Sequence, residues 1–298
     1  MSEEGRLSSK EFSDTLTAKA RARSRNSGRT VPELRAEFLL QCFLSRLFAE
    51  PASPWILKGG TGLLMRVPQA RHSQDLDLAR LDNIEIEVAI AELRRVGGPS
   101  VRDPLVFDVK NVARMRGATE GYRMNVTVRH GVAEIGKFPI DLALGVELYG
   151  QVVAEPVEPI LTMRGVEPPP PMRIYPVPDQ IADKLAAMYE VHSGAASTRY
   201  RDLVDLVIIV QRLSFGAVET RAAIEAEFER RGLQPLEVPL TVPSALWPDG
   251  FGRIARDSGL KGPLRDVEVA LQFVGDCLSP LLGLRLPAEW DPNGYSWR

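Results

Sequence analysis

WILKGGTGLLMRVPQARHSQDLDLARLD, residues 55–82, places two adjacent glycines and a threonine after a short apolar run, then sets two aspartates one residue apart. WIL reads as a short buried strand, and TGLLMRV as the start of a helix whose first turn is made approachable by Gly59 and Gly60. DLDLA alternates, so a strand there carries Asp75 and Asp77 on one face and Leu76 and Leu78 on the other. Two carboxylates side by side repel each other unless a cation sits between them. Hard oxygen donors with no accompanying Cys or His cluster favour magnesium or manganese over zinc. Thr61, at a helix start behind two glycines, adds a hydroxyl where backbone amides can meet a phosphate. The stretch therefore predicts a loop for a triphosphate and a strand for its metal.

Outward from this stretch, VPELRAEFLLQCFLSRLFAE predicts a helix, with Pro32 and Glu33 in its first turn and Leu34, Phe38, Phe43 and Leu47 at helical spacing. Asp82 is the expected N-cap of a helix over IEIEVAIAELRRVGG. LVFDVKNV, YRMNVTVRHG and EIGKFPIDLALG follow as strands, the last two joined by a turn at His130 and Gly131. Within the last of these, Asp141 faces away from Ile140 and Leu142. Two-metal displacement at phosphorus needs a third carboxylate, and Asp141 is the best candidate; on the pattern alone it fits a solvent-facing charge equally well.

The composition changes at GVEPPPPMRIYPVPDQ, where prolines 168–171 predict an extended connection. Beyond it the pattern is mainly helical, with helices over DQIADKLAAMYEVH, YRDLVDLVIIVQRL, VETRAAIEAEFERRG and LRDVEVALQFVGDCLSPLL, and an irregular segment over 232–262. Ile181, Leu185, Met188 and His192 form one stripe. Asp202 and Asp205 lie three apart on a helix of otherwise apolar character, so they need partners, for which Lys184, Arg199 and Arg201 are the candidates. By itself Lys184 reads as a surface lysine paired with Asp179 or Asp183. The fold class is α+β and bilobed: a mixed sheet with flanking helices over 1–166, and a mainly helical lobe over 167–298.

Charge and composition narrow the function. With 37 Lys plus Arg against 39 Asp plus Glu, the chain has no global attraction for polyanions, so any such site is local. The one basic concentration is AKARARSRNSGR, with Lys19, Arg21, Arg23, Arg25 and Arg29; it reads first as a solvated helix face and second as a nucleic-acid contact. The two cysteines, Cys42 and Cys277, sit in apolar helical contexts and read as buried free thiols. The polar, acidic start and the shortness of the longest apolar run, 206–210, predict a cytoplasmic protein with no membrane partner. His72, inside the motif, could touch nucleotide, but none of the three histidines is needed for the chemistry, and they and the four tryptophans read as structural or incidental.

Taken in order, LKGGTGL, RHSQDLDL, FPIDLAL, DKLAAMY and RYRDLVDL resemble the AbiEii/AbiGii family of nucleotidyltransferase toxins, a branch of the DNA polymerase β-like nucleotidyltransferase superfamily. Gly60, Thr61, Asp75 and Asp77 match the superfamily pattern, and Arg71 and Ser73 complete the family form R-x-S-x-D-x-D. The resemblance implies a magnesium-dependent transfer of NMP from an NTP to an RNA, foremost the 3′ end of tRNA, in a toxin with a cognate antitoxin. A small-molecule acceptor of the aminoglycoside type, or a protein acceptor, is the alternative. It further implies that Asp75, Asp77 and Asp141 hold metal, that Gly59, Gly60, Thr61, Arg71 and Ser73 meet the nucleotide, and that Lys184 grips its phosphates. The acidic residue of the last block falls on Asp202 or Asp205, with Asp202 preferred as catalytic and Asp205 placed near the nucleotide.

Overall fold

The computed structural model describes residues 7–115, 121–191, 194 and 196–298; the stripe position expected for His192 and the polar start at 1–6 lie outside the described residues. The chain divides into two compact units, Met1–Glu147 with Val153–Ile174, and Leu148–Val152 with Tyr175–Arg298. Residues 167–174 lie with the first unit.

The first unit opens with α1 (Ser9–Ser27), started by a capping box between Ser8 and Glu11, and α2 (Val31–Leu47), started by one between Thr30 and Glu33 with Pro32 in the first turn. Phe12, Leu16 and Ala20 bury one stripe of α1, while Lys19, Arg21, Arg23 and Arg25 are exposed. β1 (Trp55–Leu57), α3 (Gly59–Arg66), β2 (Leu76–Arg80) and α4 (Ile86–Gly97) follow, then β3 (Leu105–Met115), β4 (Gly121–His130), β5 (Ala133–Ala143), β6 (Val153–Glu155) and β7 (Met172–Ile174). Asp82 does not cap α4, as the sequence reading expects; Glu85 stands at that position, and Asp82 accepts from Arg80 at 2.7 Å instead.

The seven strands form one mixed sheet in the order β3-β4-β5-β2-β1-β7-β6. β3, β4 and β5 are a local antiparallel meander, whereas β2 inserts parallel to β5 and β1 parallel to β7. Phe43 of α2 packs edge-on against Phe107 and Phe138 of the sheet, and each such fully buried side chain contributes roughly 1.5–3 kcal/mol. A buried bidentate pair, Arg46 with Asp103, ties α2 to the segment before β3 at 2.6 and 2.8 Å.

The second unit contains α5 (Val177–Tyr189), α6 (Tyr200–Arg212), α7 (Ala217–Arg230), α8 (Trp247–Asp257), α9 (Val267–Leu278) and a hairpin of β8 (Trp290–Asp291) with β9 (Ser296–Trp297). α8 corrects the irregular reading of 232–262: Pro248 lies in its first turn, and Trp247, Phe251 and Ala255 bury one stripe. The tryptophans hold structure. The indoles of Trp247, Trp290 and Trp297 donate to the carbonyls of Ser197, Val210 and Cys277, and Trp55 stacks under Arg80. Cys42 and Cys277 are buried and free, and burial pushes both thiols up. Among the described residues no helix is long and apolar enough to cross a membrane.

Candidate active site

The glycine loop and the aspartate strand pack against each other at close range. Gly59 starts α3 at φ +63°, and a Cβ there would stand 1.8 Å from Asp77 Oδ2, so a carboxylate lies where any other residue would put its side chain. A Cβ on Gly60 would come within 2.9 Å of Ser73 Oγ and 3.2 Å of Arg71 Nη2. Both glycines are thus required by the residues of R-x-S-x-D-x-D crossing over them. The Thr61 hydroxyl donates to the Asp75 carbonyl at 2.7 Å, its side chain fully buried, and the Lys58 amide donates to the Asp77 carbonyl at 2.8 Å. Thr61 therefore holds the aspartate segment to the helix start.

Strand pairing supplies the third carboxylate. Leu76 and Leu78 are buried in the sheet, Asp77 takes the opposite face, and parallel pairing of β2 with β5 sets Asp77 in register with Asp141. Arg123 of β4 is in register with Asp141 on its other side. Its guanidinium donates to Asp141 Oδ2 at 3.2 Å and stands 3.7 Å from Asp75 Oδ1, making it the cation between those two carboxylates. Asp141 Oδ1 is buried with no hydrogen-bond partner. Burial lifts the Asp141 carboxyl above its ordinary range, Arg123 works against that, and the Asp75 charge adds to it.

Around the loop, Arg71 donates to the His72 carbonyl at 3.2 Å and Ser73 Oγ to the Asp75 carbonyl at 3.4 Å. His72 Nδ1 lies 2.8 Å from Glu37 Oε1, a carboxylate of α2 with 1% of its surface exposed, which Arg29 also approaches at 3.3 Å. His72 thus has a partner in the fold, Glu37. His130 likewise stacks on Phe12 and meets Ser9 Oγ.

Sequence reasoning missed Arg123 and Glu37. A charged residue on an alternating strand, or on a polar-looking helix turn, carries no signal of what lies across from it. Among the described residues, no three His, Cys, Asp or Glu side chains are gathered closely enough to hold a metal ion. The donor chemistry nevertheless suits a hard divalent cation: Asp77 and Asp141 in register, Asp75 joined to Asp141 through Arg123, and one Asp141 oxygen buried without a donor.

In the second unit, Lys184 of α5 reaches two carboxylates of α6, Asp205 Oδ2 at 2.5 Å and Asp202 Oδ1 at 3.3 Å. Arg199 pairs with the second oxygen of Asp202 at 2.7 Å. Lys184 and Arg199 are thus the partners that the buried aspartates require, and Arg201 is exposed. Asp205 has no exposed surface. Asp179 accepts from the amides of Tyr149 and Gly150, both at 2.8 Å, and Asp183 faces Arg231 at 3.7 Å.

A glycine-started helix packs beside paired aspartates on a mixed sheet, and one solved structure shares this fold. MenT4, a nucleotidyltransferase toxin from Mycobacterium tuberculosis H37Rv, superposes with a TM-score of 0.52 at 17% identity, over 91% of this chain and 99% of that one. JHP933 from Helicobacter pylori matches at a TM-score of 0.44 and 17% identity, over 83% of this chain and 94% of that one. No curated protein matches by sequence. The family is more specific: residues 42–273 match the model of the nucleotidyl transferase AbiEii toxin of type IV toxin–antitoxin systems, and the chain belongs to that family. It is a nucleotidyltransferase, its donor substrate is an NTP, and membership implies a cognate antitoxin.

Proposed function

We propose that this enzyme transfers a nucleoside monophosphate from an NTP to the 3′ end of tRNA in the cytoplasm, blocking aminoacylation and so translation, with magnesium or manganese as its metal. The observation that carries the reading is the register of Asp77 with Asp141 beside a helix start opened by Gly59 and Gly60. Asp75, Asp77 and Asp141 would hold the metal, which when bound screens the triphosphate and lowers the pKa of the acceptor hydroxyl.

The chain's own residues do the rest. The backbone at Gly59 and Gly60 takes the phosphates, Arg71 and Ser73 flank them, and Thr61 keeps the strand carrying Asp75 seated against α3. Asp141, its Oδ1 without a donor, accepts the proton of the acceptor hydroxyl as that hydroxyl's oxygen bonds to the α-phosphorus. The bond from the α-phosphorus to the bridging oxygen breaks, and pyrophosphate leaves. By family resemblance Lys184 is the lysine assigned to phosphate charge; within the second unit its ammonium is held by Asp205 and Asp202. Asp202, which pairs with both Lys184 and Arg199, is taken as the functional carboxylate of its helix, and the fully buried Asp205 anchors the lysine.

Purified enzyme incubated with tRNA, magnesium and each α-labelled NTP in turn tests this. Label should enter tRNA with the wild type and fall at least about 10³-fold in Asp75→Ala. Labelling that persists in Asp75→Ala removes the aspartates from the mechanism, and absence of label with every NTP moves the acceptor to a small molecule or a protein.

A further inference from the structure

The second half of α1 carries Lys19, Arg21, Arg23 and Arg25, all exposed, and none makes an ion pair or hydrogen bond with a described residue. The acidic residues of the helix, Glu11 and Asp14, lie in its first half, where they bond to Ser8 and Lys10. Favourable interaction with the helix dipole accounts for Arg25 in the last turn, but not for three further cations upstream of it. Lys19 with Arg23, and Arg21 with Arg25, are like-charged i,i+4 pairs, an arrangement that destabilises a free helix. A polyanion laid along the helix relieves that repulsion. In a chain of formal net charge −2, four unpaired cations within about 9 Å of helix axis form a local positive field.

Position adds a second argument. The turn after α1 is tied to the loop that leads into the aspartates: Ser24 Oγ donates to the Arg29 carbonyl at 2.6 Å, and Arg29 donates to the carbonyls of Ala70 and Pro68. Arg29 also meets Glu37, which holds His72 between Arg71 and Ser73. The basic helix is thereby fixed to the R-x-S-x-D-x-D segment within one unit. It also lies before residue 42, where the family match begins, so the family likeness is silent on it.

We propose that the cationic half of α1 is the docking surface for the phosphate backbone of the acceptor RNA. This rests on the RNA-acceptor reading above and adds where the backbone is held. Binding of fluorescent deacylated tRNA by the full chain, without NTP and between about 50 and 200 mM salt, tests it. Replacing all four cations (Lys19→Gln, Arg21→Gln, Arg23→Gln and Arg25→Gln) should reduce the slope of log affinity against log salt by about three and weaken low-salt binding at least about tenfold. Glutamine keeps good helix propensity at exposed positions, and the pair Lys19→Gln and Arg25→Gln should give about half the slope change.

A control removes the same charge from the second unit through Arg253→Gln, Arg256→Gln, Lys261→Gln and Arg285→Gln, and its slope should remain that of the wild type. Wild-type affinity and slope in the α1 variant overturn the proposal, as does an equal loss in the control. Unchanged RNA binding with lost antitoxin binding overturns it in favour of a protein interface. A wild-type enzyme that neither binds tRNA nor labels it with any NTP overturns the RNA-acceptor reading itself, which is a separate result.

Discussion

In the first unit, Asp75 and Asp141 share one guanidinium, that of Arg123, at 3.7 and 3.2 Å, with the arginine side chain 45% exposed. In the second, Asp202 and Asp205 share one ammonium, that of Lys184, at 3.3 and 2.5 Å, with the lysine side chain 6% exposed and Asp205 not exposed at all. The first arrangement leaves a buried oxygen of Asp141 without a partner; the second closes on itself, two cations against two carboxylates once Arg199 is included. Carboxylates bridged by a half-exposed guanidinium suit an arriving cation, whereas a buried lysine between two buried carboxylates suits the fixing of side chains.

This contrast can be broken by mutation. The largest effect on stability falls on the sealed cluster. Lys184→Met takes the ammonium away from the buried Asp205 and leaves Asp202 with Arg199, so urea denaturation should show a loss of about 3–5 kcal/mol. Adding Asp202→Asn and Asp205→Leu should recover most of it, because the burden lies in the uncompensated charge. Next is Gly59→Ala, which places a side chain at φ +63° and into the Asp77 carboxylate. It should lower stability by about 1–2 kcal/mol and nucleotide transfer by about 10²-fold, read by denaturation and by label incorporation. Smallest is Arg123→Ala. That pair is exposed and screened, so stability should change by at most about 1 kcal/mol, while added magnesium should raise the melting temperature more than in the wild type, since Arg123 no longer offsets Asp75 and Asp141.

The same contrast marks what was legible in the sequence. Asp75 and Asp77 could be assigned to one face because a strand alternates with period two, and α1 and α2 begin at capping boxes spelled by Ser8 with Glu11 and Thr30 with Glu33. Lys184, Asp202 and Asp205 could be linked because carboxylates on an apolar helix need cations. The insertion of β2 beside β5 was not legible, since no local feature encodes a parallel pairing across more than sixty intervening residues. Arg123 depends on that register and was missed with it. α8 was hidden by the prolines and glycines around it, although Trp247, Phe251 and Ala255 recur at helical spacing. Thr61 shows the limit of motif reading: its hydroxyl is at the expected place, committed to the Asp75 carbonyl.

The most direct test of the open carboxylate site is equilibrium binding of manganese, followed by electron paramagnetic resonance, to wild type, Asp141→Asn and Asp202→Asn without nucleotide. The account predicts that wild type and Asp202→Asn bind the ion alike and that Asp141→Asn weakens binding at least about tenfold. Undiminished binding by Asp141→Asn, or loss in Asp202→Asn alone, would contradict it.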